Sequence, residues 1–345
     1  MKPTCLLTAL LSLLLLNSCG NGQKWRSYHI DEGVVWHTTY RIIYDGERQL
    51  ADSIISLCNS VEQSLSPFKA NSLISRINRS ETMETDSLVR RVFAIATRVS
   101  HASGGRFDPT VAPLVNLWGF GTDSIARKLA DEGVESLRFS VTQEQIDSAR
   151  MLVGIEECRV ENGMMIKKHP ATSFNFSAVT KGMGCDIVAE MLRRNGVENY
   201  MVEIGGEIAV SGHNPDGKPW QIQVDMPEET TSAPTHNALR RLSLTSGGVA
   251  TSGNYRNFHE TARHGKFGHT IDPASGLPAH SEVVSATIVA PTCGEADAWA
   301  TACMATPTAR EALEMLAADT ALEGMLVVAR GDTLATLFTP NCRFR

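Results

Sequence analysis

The sequence carries no excess of basic charge. Lys and Arg total 32 against 38 Asp and Glu, a formal net charge of -6. A chain built to hold nucleic acid through its phosphates would be basic, so that class of function is disfavoured. Only one apolar run stands out, and it lies at the N-terminus. Cys5 to Leu16 is interrupted only by Thr8 and Ser12, too short for a span that needs roughly 20 residues. The cysteines include no CxxC pair, which argues against a zinc knuckle or a thioredoxin-like centre. GxSxG, HExxH and GxGxxG are also missing, leaving serine-hydrolase, zincin and Rossmann readings without support. No internal repeat or low-complexity tract is present. With 42% hydrophobic and 20% charged residues over 345 positions, the composition is that of a folded chain with a sizeable core.

The N-terminus has the features of a processing signal. Lys2 precedes the apolar run, which closes in Leu16-Asn17-Ser18-Cys19-Gly20. This resembles the lipobox of bacterial lipoproteins, in which the cysteine is lipidated and becomes the first residue. The expectation is a signal peptide over 1–18, a lipidated Cys19 with a tether over 19–33, and one folded domain over 34–345. That places a lipid-anchored body on the exported side of a membrane. Cys58, Cys158, Cys185, Cys293, Cys303 and Cys342 sit mostly among apolar neighbours, and the plain reading is buried free thiols; an exported chain could also form disulfides, which the sequence does not pair.

Periodicity predicts an α+β fold, with mixed sheets and packed helices. Strands are expected over Val34–Tyr44, Tyr200–Ile204, Glu207–Ser211, Trp220–Asp225, Arg241–Leu244, Val283–Ala290, Gly324–Val328 and Leu334–Phe338. Helices are expected over Leu50–Leu65, Leu88–Ser100, Ser140–Arg150, Ala178–Asn195, Thr292–Ala305 and Ala309–Ala317. Cys158 to Ile166 reads as a hairpin around Asn162-Gly163, and Glu228 to Asn237 as an exposed loop.

Four stretches carry potential chemistry. The first is Phe174 to Asp186; along its helix the stripe Val179, Met183, Ile187 and Met191 is core. Lys181 lies off that stripe near the helix start, where free N–H groups and an ammonium suit a phosphate. It could equally be a solvated lysine, and Gly182 and Gly184 could admit either a ligand or neighbouring backbone. In Pro291 to Thr301, Thr292 and Glu295 have capping-box spacing. Asp297 and Thr301 are four apart on one helical face, where both oxygens could meet a hard cation such as magnesium. The plainer alternative is an Asp favoured by the helix dipole and a Thr bonded back to a carbonyl. His269 precedes a tight turn, Asp272-Pro-Ala-Ser-Gly276. Gly104 to Thr110 forms another turn.

Each stretch alone is weak, but their order and content resemble the ApbE family, the FAD:protein FMN transferases. The resemblance rests on Trp36-His-Thr-Thr-Tyr40, Ser66-Pro-Phe-Lys-Ala-Asn-Ser-Leu-Ile-Ser-Arg-Ile-Asn78 and Phe107-Asp-Pro-Thr-Val111. It continues through Ala178-Val-Thr-Lys-Gly182, Glu203-Ile-Gly-Gly-Glu207, Ser252-Gly-Asn-Tyr255, His269-Thr-Ile-Asp-Pro-Ala-Ser-Gly276 and Asp297-Ala-Trp-Ala-Thr301. It implies a ligand cleft between two lobes that takes FAD as substrate with Mg²⁺. FMN would pass to a Thr, sometimes a Ser, of an exported acceptor, releasing AMP. Residue by residue, it implies metal binding by Asp297 and Thr301 side chains and the Ala178 carbonyl. It places Lys181 and His269 at the phosphates, and makes Lys181, His269 and Asp297 the catalytic set. Trp36, Phe68, Arg106, Phe107, Asp108, Asn175 and Ile271 match flavin-nucleotide contacts. The chain departs from the common pattern with Asn175 for Asp, Phe68 for Tyr and Trp36-His37 for Met-Gly. The implied acceptor is a membrane electron-transport subunit. A metal-dependent FAD pyrophosphatase and a non-catalytic FAD-binding lipoprotein are the alternatives.

Overall fold

The computed structural model describes residues 27–121, 141–227, 238–253, 258–261, 265–331 and 333–343. The signal and lipidation segment, the expected loop over 228–237, and Asn254 and Tyr255 lie outside them. In chain order the elements begin with β1 (Tyr28–Val35) and β2 (Thr38–Asp45), then α1 (Ala51–Leu65), α2 (Leu73–Asn78) and α3 (Ser87–Ala102). A 3₁₀ turn at Pro109–Val111 leads into α4 (Ala112–Leu117), and α5 (Gln143–Arg150) precedes the short hairpin β3 (Arg159–Glu161) and β4 (Met164–Ile166). Next come α6 (Ser177–Arg194), β5 (Tyr200–Ile204), β6 (Glu207–Ser211), β7 (Trp220–Asp225), β8 (Ala238–Leu244) and β9 (Ser246–Gly253). The chain closes with β10 (Phe258–Thr261), β11 (Gly265–Gly268), β12 (Val283–Ala290), α7 (Cys293–Met304), α8 (Ala309–Ala317), β13 (Glu323–Arg330) and β14 (Thr333–Phe338).

The frame is an eight-stranded sheet in the order β1-β2-β5-β6-β9-β12-β13-β14, with smaller pairs β3-β4, β7-β8 and β10-β11. The fold is α+β, and the pairings between the described strands are antiparallel. β12 reads Val-Val-Ser-Ala-Thr-Ile-Val-Ala and is buried almost throughout, because both faces of the sheet are covered there. One face carries α6 and α7. Val179, Met183, Ala296, Ala300, Ile288 and Leu326 share one apolar cluster on that side. The other face is closed by the β7–β8 hairpin, through Trp220, Ile222 and Leu242 against Val249, Val289 and Met325. Burying apolar surface on both sides makes this sheet the core of the molecule.

The stretch from Val34 to Tyr44 is not one strand. β1 and β2 pair with Val35 opposite Thr38, so Trp36 and His37 form a two-residue turn. Both have positive φ, 50° and 61°, as a type I′ turn requires. The alternation signal runs through such a turn without a break because neither residue is Gly or Asn. The α6 stop at Gly196 matches expectation: it is left-handed with φ 80°, and its N–H donates to the Arg193 carbonyl at 3.0 Å.

Candidate functional site

One cleft of about 430 Å³ opens beside the N-terminal end of α6 and along the Asp297–Thr301 face of α7. Its lining gathers Phe68, Arg106, Phe107, Asp108, Asn175, Ala178, Lys181, His269, Ile271, Asp297 and Thr301. These come from separate segments spanning more than two hundred positions. Trp36 lies in an adjoining, mainly apolar slot of about 210 Å³, which shares Phe68, Ser177 and Lys181 with the cleft. A pocket combining apolar walls with a few convergent polar groups is the usual form of a ligand site.

The floor is set by the contact between α6 and α7. Asp186 of α6, itself buried, accepts the N–H groups of Cys293 at 2.9 Å and Gly294 at 2.9 Å. It thereby caps the start of α7 from outside that helix. Thr292 accepts the Glu295 N–H at 3.3 Å and donates to its carboxylate at 2.9 Å, so Glu295 is structural. Gly182 lies where a Cβ would come within 2.3 Å of the Cys293 carbonyl oxygen and 2.9 Å of the Asp297 Cβ. At Gly184 the same atom would meet the Trp36 ring at 2.3 Å. Both glycines serve close packing of protein against protein. Asp297 Oδ2 accepts the Gly182 N–H at 3.1 Å, which ties the two helices together at the cleft floor.

Lys181 pairs with Glu207 of β6, the last residue of the Glu203-Ile-Gly-Gly-Glu207 motif. Burial works against the lysine's charge, but Glu207 and Asp297 outweigh it and push Lys181 up to about 12. Glu207 is held above the usual carboxylate range by burial and by the Asp297 charge, against the pull of Lys181. Burial also raises Asp297, opposed by Lys181 and the Gly182 N–H. Two buried carboxylates therefore act on one ammonium, which pairs with Glu207. The floor suits a further cation: Asp297 supplies a carboxylate, Thr301 a hydroxyl one turn on, and Ala178 lines the same cleft. The Thr301 hydroxyl lies 3.4 Å from that of Ser252 on β9.

The walls are less free than their residue types suggest. Asp108 is buried with both oxygens engaged: Oδ1 accepts the Thr110 N–H at 2.7 Å and hydroxyl at 2.6 Å, and Oδ2 the Ile155 N–H at 3.1 Å. Asn175 accepts the Ser177 N–H at 3.0 Å, shaping the entry to α6. Arg106 reaches Glu311 at 3.4 Å and Asp272 at 4.0 Å, joining two sides of the rim. Asp272 also accepts from Ala274 N–H at 3.1 Å and from the Ser275 hydroxyl at 2.7 Å, forming the tight turn after His269. His269 is exposed and meets Phe120 edge-on, with centroids 6.3 Å apart. The Trp36 indole donates to the Cys58 carbonyl at 3.0 Å, fixing the ring against α6.

Such a cleft, with an ammonium, an oxygen cluster for a cation and aromatic walls, is that of a nucleotide-handling protein. The chain belongs to the ApbE family, whose profile matches residues 33–326. It is 34% identical over 307 residues to the FAD:protein FMN transferase of Vibrio cholerae, covering 86% of each chain. It is 30% identical to that of Escherichia coli K12, covering 90% of this chain and 85% of the relative. Among solved structures, it is similar to the flavin transferase ApbE from Vibrio cholerae, with TM-score 0.77 and 29% identity over 92% of this chain and 98% of that one. The Pseudomonas stutzeri flavinyl transferase ApbE in its apo form gives TM-score 0.78 and 26% identity, covering 92% of this chain and 96% of that one.

Proposed function

We propose that this protein transfers FMN from FAD to a Thr or Ser hydroxyl of an exported acceptor protein. The observation that carries this is the convergence of eleven of the expected residues on one cleft, in a member of a family whose relatives bear that activity in their names. In the reaction the acceptor oxygen forms a bond to the FMN phosphorus, the bridging P–O bond breaks, AMP leaves with the bridging oxygen, and the hydroxyl proton is lost to solvent. A Mg²⁺ ion held by Asp297, Thr301 and the Ala178 carbonyl would neutralise phosphate charge. Lys181 contributes a fixed positive charge on the floor, and His269 adds a donor at the mouth. Charge stabilisation and positioning account for most of the acceleration in phosphoryl transfer. Phe68, Trp36, Phe107 and Ile271 offer apolar surface for the flavin nucleotide, with Arg106, Asp108 and Asn175 as polar neighbours.

The same reading places the protein outside the cytoplasm, anchored through Cys19. It makes a membrane electron-transport subunit the fitting acceptor.

The test uses the chain from the residue after Cys19, with FAD, Mg²⁺ and a Thr-containing acceptor domain. Fluorescent acceptor and AMP are expected together. Asp297→Ala should lower both by on the order of 100-fold or more. An acceptor that stays unlabelled while AMP accumulates would instead support a pyrophosphatase. Bound FAD with neither product would support a carrier.

A further inference from the structure

The β5–β6 hairpin is shaped around Lys181. Gly205 at its tip has φ 65°, and a Cβ there would stand 3.4 Å from Lys181 Cδ and 2.9 Å from Thr38 Cγ2. The lysine stem thus crosses the hairpin where no side chain stands. Glu203 accepts the Gly206 N–H at 2.8 Å and closes the tip. Glu207, the first residue of β6, takes the end of the lysine. Glu207 is only 3% exposed, and its Oε2 has no hydrogen-bond partner among the described residues. A buried carboxylate with one oxygen unpartnered is unfavourable, so its retention calls for a reason. Asp297 is near enough for its charge to act on Lys181, yet the ion pair goes to Glu207. An ammonium free to choose would also neutralise Asp297, the carboxylate best placed for a cation.

We propose that Glu207 is a positioning residue: it holds Lys181 on the hairpin and off Asp297, leaving the Asp297 carboxylate to a divalent cation. This rests on Asp297 as a cation ligand in the function proposed above. Without Glu207, Lys181 turns to Asp297 and competes with the metal.

The test is direct binding of Mn²⁺, followed by the electron paramagnetic resonance signal of the free ion, with no FAD or acceptor present. The proteins are the parent chain after Cys19, Glu207→Gln, Lys181→Met, the double variant and Asp297→Ala, each checked for folding by circular dichroism. Glu207→Gln, nearly isosteric, should weaken Mn²⁺ binding about tenfold when Lys181 is present and less than about twofold in the Lys181→Met background. Lys181→Met alone should leave binding unchanged or tighter, which keeps the idea testable if Glu207→Gln folds poorly. Equal losses in both backgrounds would overturn the proposal, since Glu207 would then act on the cation by its own charge. Weaker binding in Lys181→Met alone would overturn it too. If the parent chain binds no Mn²⁺, or Asp297→Ala binds it equally well, the ligand assignment fails and the proposal falls with it. Acceptor labelling is scored separately and distinguishes that failure from a failure of the transferase reading.

Discussion

Asp186 shows how a single buried carboxylate supports the site without facing the ligand. It receives two backbone N–H groups at the start of α7, the turn that leads to Asp297. Burial nevertheless dominates and pushes its carboxyl up to about 6, against those hydrogen bonds. The folded state therefore holds a proton on Asp186 that the unfolded chain has lost, between the ordinary carboxylate range and about pH 6. The stability from this group is fully present below pH 4 and is lost as pH rises through 6. Asp186→Asn cannot titrate. The stability advantage of the parent chain over that variant should shrink from pH 4 to pH 7 by on the order of 2 kcal/mol. Thermal denaturation of both proteins across that range measures it, and an advantage that grows with pH would contradict the assignment.

At the scale of elements, the site depends on how closely α6 and α7 approach. Gly182→Ala places a Cβ against the Cys293 carbonyl and the Asp297 side chain. Neither neighbour is a flexible chain end, so the helices must separate. A loss of about 3 kcal/mol is expected, read as a lower midpoint in urea, and with it a weaker response of activity to Mg²⁺. The β1–β2 turn is a second case. Left-handed conformation costs a non-glycine residue roughly 1–2 kcal/mol, and Trp36 and His37 both adopt it. His37→Gly should raise the thermal midpoint slightly, by up to about 1 kcal/mol in stability once glycine's greater unfolded entropy is counted. A fall would mean that the imidazole makes contacts worth more than the strain. Local pattern made most elements legible: the apolar stripe of α6, its Gly196 stop and the buried run of β12 follow from spacing. The turn at Trp36-His37 did not, because its backbone is imposed by strand pairing on each side. Neither did β9 (Ser246–Gly253), whose Gly/Ser-rich sequence lacks the β-branched alternation of a strand. Gly248 there leaves room for the Cys293 backbone, which would lie 2.2 Å from a Cβ.

For the whole molecule, the candidate site was legible as a set of residues and illegible as a geometry. Motif resemblance brought together positions from Phe68 to Thr301 because the cleft draws on them all. Glu207 escaped notice as a site residue because its role depends on Lys181, 26 positions earlier. The only local signal was a Glu directly after two glycines that reverse the chain. Asp186 was hidden likewise, an acidic residue within a helix whose partners start another helix 107 positions on. The same long-range packing governs the thiols. Cys58, Cys158, Cys185, Cys293, Cys303 and Cys342 are all buried, and none is joined in a disulfide among the described residues. Burial raises the pKa of Cys58, Cys158, Cys185, Cys293 and Cys303, with Cys58 pushed up to about 12 and Cys293 raised further by the neighbouring Cys185. Thiolate is the reactive form, so packing should protect these groups even in an oxidising compartment. With the chain starting after Cys19, a maleimide should label almost nothing in the native state and all six cysteines after denaturation, counted by intact mass. Denaturation without a reductant should give the same number as denaturation with one. A shortfall of two that dithiothreitol restores would mean that a disulfide forms in solution, and the adjacent pair Cys185 and Cys293 would be the first to map. Such a bond would join α6 to the start of α7 and stiffen the cleft floor, with the thiols acting as a clamp instead of inert packing.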